Sequence, residues 1–486
     1  MGRTPISIER GADQPLYVQL SRTLEHQIAS GAFDPARPLP SSRALSRELG
    51  LSRNTVNSAY QQLLASGYIE SRPRRGLFVN TGMLAHLSRL ASEPPGPPID
   101  WQHHLRHRPD RHLPQILKAA DWHRYPYPFV AGQIEVGSFP RLAWLRALRE
   151  AMEPPHLHHS LRDGVDEDDP LLVEAVCRHV LPARGIEVDS RQVLITLGSQ
   201  QGLDLLASTI VSPGSRVGVE DPGYPDARRM FVREGATLVP FPVDEAGLVP
   251  PADLGDTRVL YLTPSHHSPT NVTLSIDRRR RLLGLAEAAD ALLIEDDYDS
   301  ELRYQGSPTQ ALKALPASQR VVYLGTFSKF LAPGLRLGYL VAEPELVDEL
   351  RNQRRYRVRH AAGHLQRAMA LFIASGGYQR TLGRRRTQLG HKWTLLGEAL
   401  EAELGWGLDP PPGGASVWVT GPPALDCVDL ARRARDRGVL IESGDVYFAE
   451  PARHRRHFRL GFAAIQQDAI APGVRELAGA VRDQLG

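Results

Sequence analysis

The stretch Val321-Val322-Tyr323-Leu324-Gly325-Thr326-Phe327-Ser328-Lys329, followed by Pro333-Gly334-Leu335-Arg336-Leu337-Gly338-Tyr339-Leu340-Val341, decides how most of this chain is read. Its two apolar runs, 321–324 and 337–341, have the length and composition of buried strands. A lysine stands just past the first of them. Lysine is scarce here: of 58 basic residues only four are lysines, Lys118, Lys313, Lys329 and Lys392. A lysine after a buried strand, with hydroxyls before it and an arginine after it, suits a Schiff base to an aldehyde cofactor that carries a phosphate.

Working outward, Val193-Leu194-Ile195-Thr196-Leu197, Val259-Leu260-Tyr261-Leu262 and Ala291-Leu292-Leu293-Ile294 are further buried strands, separated by helical patterns. Continuous apolar strands alternating with helices predict an α/β fold with a mostly parallel sheet covered on both faces. Ligands in such folds bind beyond the carboxyl ends of the strands. At 486 residues, with 42% hydrophobic content, the chain is too long for one core, and two or three domains are expected. No apolar run approaches the roughly 20 residues that span a bilayer, and Met1-Gly2-Arg3-Thr4-Pro5-Ile6-Ser7 lacks a secretion signal's apolar stretch. Cys177 and Cys427 have no metal-type spacing, so a reduced, cytoplasmic protein without a disulfide framework is expected.

The positive charge is concentrated at one end. Residues 1–80 hold ten arginines, no lysine and six acidic residues, a surplus of four, while the remainder is close to neutral. Within it, residues 13–80 read as helix, helix, helix, hairpin. Pro15 starts an amphipathic helix that Gly31 stops. Pro40-Ser41 starts a second, ending near Gly50, and Ser52 caps a third running through Leu64. Gly67-Tyr68-Ile69-Glu70 and Gly76-Leu77-Phe78-Val79 are two short strands joined by a basic turn, Arg72-Pro73-Arg74-Arg75. Such a helix pair places the start of its second helix in the major groove. Arg53, Asn54 and Asn57 lie there and can read base edges, with Ser52 and Thr55 beside them. Arg43, Arg74, Arg75 and Gly76 suit backbone or minor-groove contacts. The plainer alternative is a small helical domain with a solvated arginine face.

Residues 81–115 read as a linker, with the proline-rich spacer Glu93-Pro94-Pro95-Gly96-Pro97-Pro98 semi-extended. His103 and His107 are four apart, but no metal motif surrounds them and no metal is expected. Residues 116–486 form the large α/β domain.

The cofactor best matched by the large domain is pyridoxal 5'-phosphate (PLP). Lys329 supplies the amine for the aldehyde. The pyridine nitrogen needs a carboxylate to stay protonated; Asp296 is assigned, with Asp297 the alternative. Tyr298 can donate to the ring oxygen. Gly198-Ser199-Gln200 opens a helix after a strand, where free amides favour phosphate. Thr326, Ser328 and Arg336 complete the phosphate cup, and Tyr224 can stack on the ring. Each of these is weak alone: Asp296 could be a helix cap and Tyr224 core. Their strength is their joint order along one chain.

Leu39-Pro40-Ser41-Ser42-Arg43, Leu49 through Val56, Ala59-Tyr60 and Leu64-Ala65-Ser66-Gly67-Tyr68 resemble the winged helix-turn-helix of GntR regulators, with Ala36 standing where that family usually has glycine. Residues 120–486 resemble fold type I aminotransferases, with a smaller C-terminal α/β subdomain. The whole chain thus resembles the MocR/GabR subfamily, a reading to which Gly137-Ser138-Phe139-Pro140, Trp144 and Arg146 also contribute. The resemblance implies that Lys329 is the aldimine lysine, Asp296 the pyridine partner, Tyr298 the ring-oxygen partner and Tyr224 the stacking residue. It makes Arg459, in Phe458-Arg459-Leu460-Gly461-Phe462, the arginine that holds an effector's carboxylate; otherwise it would be a surface strand residue. It further implies a homodimer, domain-swapped head to tail, that contacts double-stranded operator DNA.

The sequence departs from its relatives at His266-His267-Ser268-Pro269-Thr270-Asn271, where they carry His-Gln-aromatic-Pro-Thr-Gly. Ser268 replaces the asparagine that aminotransferases place beside the ring oxygen. Asp163 lies near a usual tyrosine, and Asp226 stands where some relatives have arginine. PLP binding is expected to survive these changes; efficient transamination and GABA as effector are not. The expected function is a PLP-dependent transcription factor that senses PLP, or an amine or amino acid reacting with it. The alternative is an active aminotransferase with an appended DNA-binding head.

Overall fold

The computed structural model describes residues 8–9, 14–92, 98–105, 109–306, 309–408 and 413–486. The chain divides into two compact units, Met1–Arg106 and His107–Gly486.

In the first unit, α1 (Leu16–Ala29), α2 (Ser42–Leu49) and α3 (Arg53–Ala65) precede a hairpin of β1 (Ile69–Arg72) and β2 (Gly76–Val79). Local chemistry sets the helix ends. The Ser41 hydroxyl accepts from Ala44 N and the Ser52 hydroxyl from Thr55 N, each satisfying an amide that the helix itself leaves unpaired. Gly50 ends α2 in the left-handed conformation (φ 63°) that glycine adopts without strain. Leu20, Leu24, Ile28, Leu45, Val56, Ala59, Leu63, Ile69 and Val79 close one small core. The Tyr60 hydroxyl donates to Pro40 O at 2.8 Å and ties α3 to the entry of α2.

The hairpin differs from its expected form. Arg72 belongs to β1, opposite Gly76, and its guanidinium pairs with Glu70 at 2.9 Å and covers the Phe78 ring at 4.3 Å. The tip is therefore Pro73-Arg74-Arg75. Residues 81–92 form a helix, α4 (Thr81–Ser92), whose entry is capped by Asn80 Oδ1 accepting from Gly82 N and Met83 N. Residues 93–97 of the proline-rich spacer, and His107, lie outside the described residues.

The second unit is built on an eight-stranded sheet: β3 (Val193–Thr196), β4 (Arg216–Asp221), β5 (Thr237–Asp244), β6 (Gly247–Leu248), β7 (Thr257–Leu262), β8 (Leu292–Asp297), β9 (Val321–Thr326) and β10 (Gly338–Val341). Their order is β3-β10-β9-β8-β7-β4-β5-β6. The run from β9 to β5 is parallel, β10 is antiparallel to both neighbours, and β6 is an antiparallel edge. β3, β9 and β10 are buried along their whole length, as a sheet covered on both faces requires.

Three strands of this sheet that sequence patterning did not single out are β4, β5 and the two-residue β6. β4 carries Gly218, Glu220 and Asp221. β5 carries Pro240 and Pro242, which are tolerated because β6 pairs only with Val243 and Asp244. A second, three-stranded sheet is formed by β11 (Ser416–Thr420), β12 (Glu442–Ser443) and β13 (His457–Gly461), with β13 in the middle. Among the described residues no helix is long and apolar enough to cross a membrane, and no group of His, Cys, Asp and Glu is placed to hold a metal ion.

Candidate functional site

The carboxyl ends of β8 and β9, the start of α5 (Ser199–Ile210) and strand β13 meet around one cavity. Among its lining residues are Lys329, Asp296, Tyr298, Tyr224, Ser199, Gln200, Thr326, Ser328, Arg336 and Arg459. All the candidate cofactor and effector residues named from sequence line it except Gly198, which stands beside Arg336.

Strand alternation separates the two candidate aspartates. Successive side chains of β8 point to opposite faces. Asp296 faces the cavity, where its Oδ2 accepts from the Tyr261 hydroxyl at 2.7 Å and its Oδ1 is buried without a partner among the described residues. Burial pushes its carboxyl up to about 6. Asp297 does not line the cavity. It accepts from Arg184 Nε at 2.7 Å and from the Tyr323 hydroxyl at 2.7 Å. Glu295 shares the face of Asp297 and accepts from the amides of Leu312 and Lys313, each at 2.8 Å.

Lys329 sits three residues beyond β9. Burial, then the charges of Lys118 and Arg459, lower its ammonium to about 8. The Tyr298 ring centroid lies 5.5 Å from Lys329 Nζ, and the Tyr298 hydroxyl is buried without a partner among the described residues. Opposite, Gly198 adopts φ 84° at the start of α5. A Cβ there would stand 3.0 Å from Arg336 Nη2, so glycine, which also tolerates the positive φ, lets the guanidinium lie close; that guanidinium donates to Leu197 O at 2.6 Å. The Thr326 hydroxyl accepts from Ser328 N at 3.2 Å, while the Ser328 hydroxyl is buried and unpartnered among the described residues. The Tyr224 hydroxyl donates to Asp226 Oδ2 at 3.0 Å, and Gln200 Nε2 donates to the same oxygen at 3.4 Å.

Arg459 is a buried residue of the central strand β13. Its Nε donates to Ser416 Oγ at 2.9 Å and its Nη1 to the Tyr447 hydroxyl at 3.1 Å, with Glu442 Oε2 at 3.8 Å. Nη2 has no partner among the described residues. The departures from the relatives' pattern also find places. Ser268 lines the cavity, its amide donating to Thr263 Oγ1 at 3.0 Å. Asn271 adopts φ 63°, the left-handed conformation that a glycine would supply and asparagine tolerates. Asp163 pairs with Arg359 and His360.

Sequence reasoning passed over Lys118, Gly132, Tyr261 and Thr263, which also line the cavity. The scarcity of lysine was the one signal that could have drawn attention to Lys118.

In the first unit, Arg53, Asn54 and Asn57 are exposed on the first two turns of α3, with Ser52 capping that helix and Thr55 half-buried against it. Arg43 is exposed at the start of α2, and Arg74, Arg75 and Gly76 are exposed at the hairpin. Arg74 and Arg75 form no ion pair among the described residues. Arg75 instead lies 5.9 Å from the Phe78 ring centroid.

Residues 16–79 match the family of bacterial regulatory proteins called the gntR family, and residues 137–477 match aminotransferase class I and II. The HTH-type transcriptional regulator TauR of Rhodobacter capsulatus is 41% identical over 97% of this chain and 98% of its own length. The chain belongs to the MocR-type HTH transcriptional regulators of the GntR family. Another member, the probable rhizopine catabolism regulatory protein MocR of Rhizobium meliloti, is 31% identical over 97% of this chain and 95% of its own. The large unit of this MocR-type regulator has the fold of LysN, an α-aminoadipate aminotransferase from Thermus thermophilus solved with N-(5'-phosphopyridoxyl)-L-leucine. The TM-score is 0.70 with 28% identity, over 80% of this chain and 99% of LysN. The aminotransferase class I and II fold implies PLP as a cofactor.

Proposed function

We propose that this regulator holds PLP at Lys329 and reads PLP itself, or an amine or amino acid that reacts with it, as the signal controlling its hold on operator DNA. The observation that carries the reading is a set of unsatisfied buried groups around one lysine. Asp296 Oδ1, the Tyr298 hydroxyl and the Ser328 hydroxyl each lack a partner among the described residues, and the three residues line the same cavity. Buried polar groups are normally hydrogen-bonded, so three that converge on one cavity fit a polar ligand with complementary groups. A carboxylate for a protonated ring nitrogen, a phenol for a ring oxygen and a hydroxyl for a phosphate match PLP group by group.

When bound, PLP supplies an aldehyde that captures amines and a protonated ring that withdraws electrons. The protein does the rest. Lys329, lowered to about 8, holds a useful share of neutral, nucleophilic amine near neutral pH. Asp296 keeps a proton on the ring nitrogen. Ser199, Gln200, Thr326, Ser328 and Arg336 bind the phosphate, Tyr224 stacks on the ring, and Arg459 receives a carboxylate. Effector binding acts by favouring one of two arrangements of the chain, and so shifts the DNA-bound population. Arg43, Ser52, Arg53, Asn54, Thr55, Asn57, Arg74, Arg75 and Gly76 form the DNA face. The functional species is a homodimer, domain-swapped head to tail, acting in the cytoplasm.

The deciding experiment is a footprint of the purified full chain on its own upstream region, with and without PLP. Protection that changes with PLP is expected. No protection in either state, together with sustained conversion of an amino acid and a keto acid, would replace the regulator by an enzyme.

A further inference from the structure

Beyond its charge acting on Lys329, Lys118 has no role in the site as described so far, yet it reaches into the cavity. A Cβ built on Gly132 would stand 3.1 Å from Lys118 Nζ and 3.3 Å from Lys329 Nζ. The two amines therefore flank one glycine, whose φ of 77° and missing side chain leave room for both. Two ammonium groups this close repel unless something negative stands between them or one gives up its proton.

The other cations of the cavity already have work or counter-charge. Arg336 would bind the phosphate, Arg459 has Glu442 close by, and Lys329 would hold the cofactor's aldehyde. Lys118 forms no hydrogen bond and no ion pair among the described residues. It is an unspent positive charge on an otherwise exposed side chain.

The chain leading to it is held just upstream. The segment 109–113 is held against α6 (Pro225–Arg233) by Arg229, which donates through Nη1 to Leu113 O and lies 3.4 Å from Asp110 Oδ2 through Nη2. Five residues beyond Leu113, the chain delivers Lys118 to the cavity.

Resting on the PLP reading above, we propose that Lys118 is a specificity-determining residue: a second anion seat beside Arg459 that selects amine effectors bearing an acidic group and discriminates against plain amines. An acid group reaching Lys118 gains a charge-assisted hydrogen bond. A plain amine leaves that cation facing the positive end of the cavity. The inference assigns the effector's class, a primary amine with at least one carboxylate.

The test uses the full chain loaded with PLP, read by its visible absorption while n-butylamine, L-alanine or L-glutamate is titrated in. Each protein is referenced to its own response to n-butylamine. The unaltered chain is expected to respond to at least one of the two amino acids at concentrations roughly tenfold or more lower than to butylamine, the effect of one hydrogen bond to a charged group. Lys118→Gln should shrink that advantage about tenfold, leaving only the share that Arg459 supplies, and Lys118→Arg should keep most of it. An advantage that survives Lys118→Gln undiminished, or is absent from the unaltered chain, overturns the inference. A loaded band in Lys118→Gln before any amine is added shows that the variant is folded and carries cofactor. Absence of any PLP band in the unaltered chain is a separate outcome: it removes the PLP reading and this inference with it.

Discussion

Asp296 and Asp297 stand side by side in sequence and do unrelated work, because a strand turns consecutive side chains to opposite faces. Exchanging each carboxylate for an amide separates their roles. Asp296→Asn should retain the fold and weaken PLP retention by roughly tenfold or more, as expected when a charge-assisted bond is lost; equilibrium dialysis against PLP reads this. Asp297→Asn should leave the buried Arg184 guanidinium without its counter-charge and cost about 3–5 kcal/mol of stability, read by urea unfolding. The opposite pattern would make Asp297 the ring partner. Lys329 gives a prediction in pH. Its ammonium is lowered to about 8, so at pH 7 about one molecule in ten carries the neutral amine, against about one in three thousand for an ordinary lysine. The rate at which the cofactor-free chain captures PLP should therefore climb with pH and level off above about 8. Stopped-flow absorbance between pH 6 and 9 checks it, and a flat profile would remove the neutral amine from the capture step. Lys329 and Asp296 were legible because each sits at the end of an apolar run whose period is visible. Lys118 was not, since the segment around it has no period to read and only the folded chain brings it beside Lys329.

At the scale of elements, α3 rests on its cap. Ser52→Ala should cost about 1 kcal/mol, seen as a lower melting temperature of the first unit and weaker operator binding. Ser52→Asp should restore the melting temperature, because a carboxylate also caps, yet bind DNA less well because it faces phosphate. If both variants bound DNA equally, the start of α3 would not be near the backbone. The phosphate end depends on a close contact between elements: a Cβ on Gly338 of β10 would stand 2.8 Å from Gly198 Cα and 2.8 Å from Gly325 O. Gly338→Ala should therefore destabilise the large unit by about 1–3 kcal/mol and loosen PLP. α1, α2 and α3 were readable to within a residue or two because capping serines and stop glycines are written into the chain, whereas α4 fell in a stretch read as linker. The strands with unbroken apolar runs were readable too. β4 escaped notice because Glu220 is buried within it, where it accepts from Thr263 through both amide and hydroxyl. β5 escaped because two prolines ordinarily argue against a strand. Both are cases where tertiary contacts supply what local composition lacks.

For the molecule as a whole, the DNA-facing unit should show two kinds of arginine. Arg74→Ala and Arg75→Ala should each weaken binding to every sequence alike and lower the slope of log affinity against log salt by about one. Arg53→Ala should instead relax the choice of base at one or two positions. A salt series on operator and random DNA separates the outcomes; a sequence-selective loss at Arg74 or Arg75 would place the hairpin tip in a reading role. The four-lysine composition has a further consequence, for chemistry done on the protein from outside. Lys313 and Lys392 are buried, each in an ion pair with a glutamate. The remaining two lysine amines share one cavity, and the one lowered to about 8 is the stronger nucleophile at neutral pH. An amine-acylating probe, or borohydride added after PLP, has almost nowhere else along the side chains to go. In an arginine-clad protein such reagents become close to site-selective, and a single modified peptide spanning Lys118 or Lys329 would report directly on who occupies the cavity.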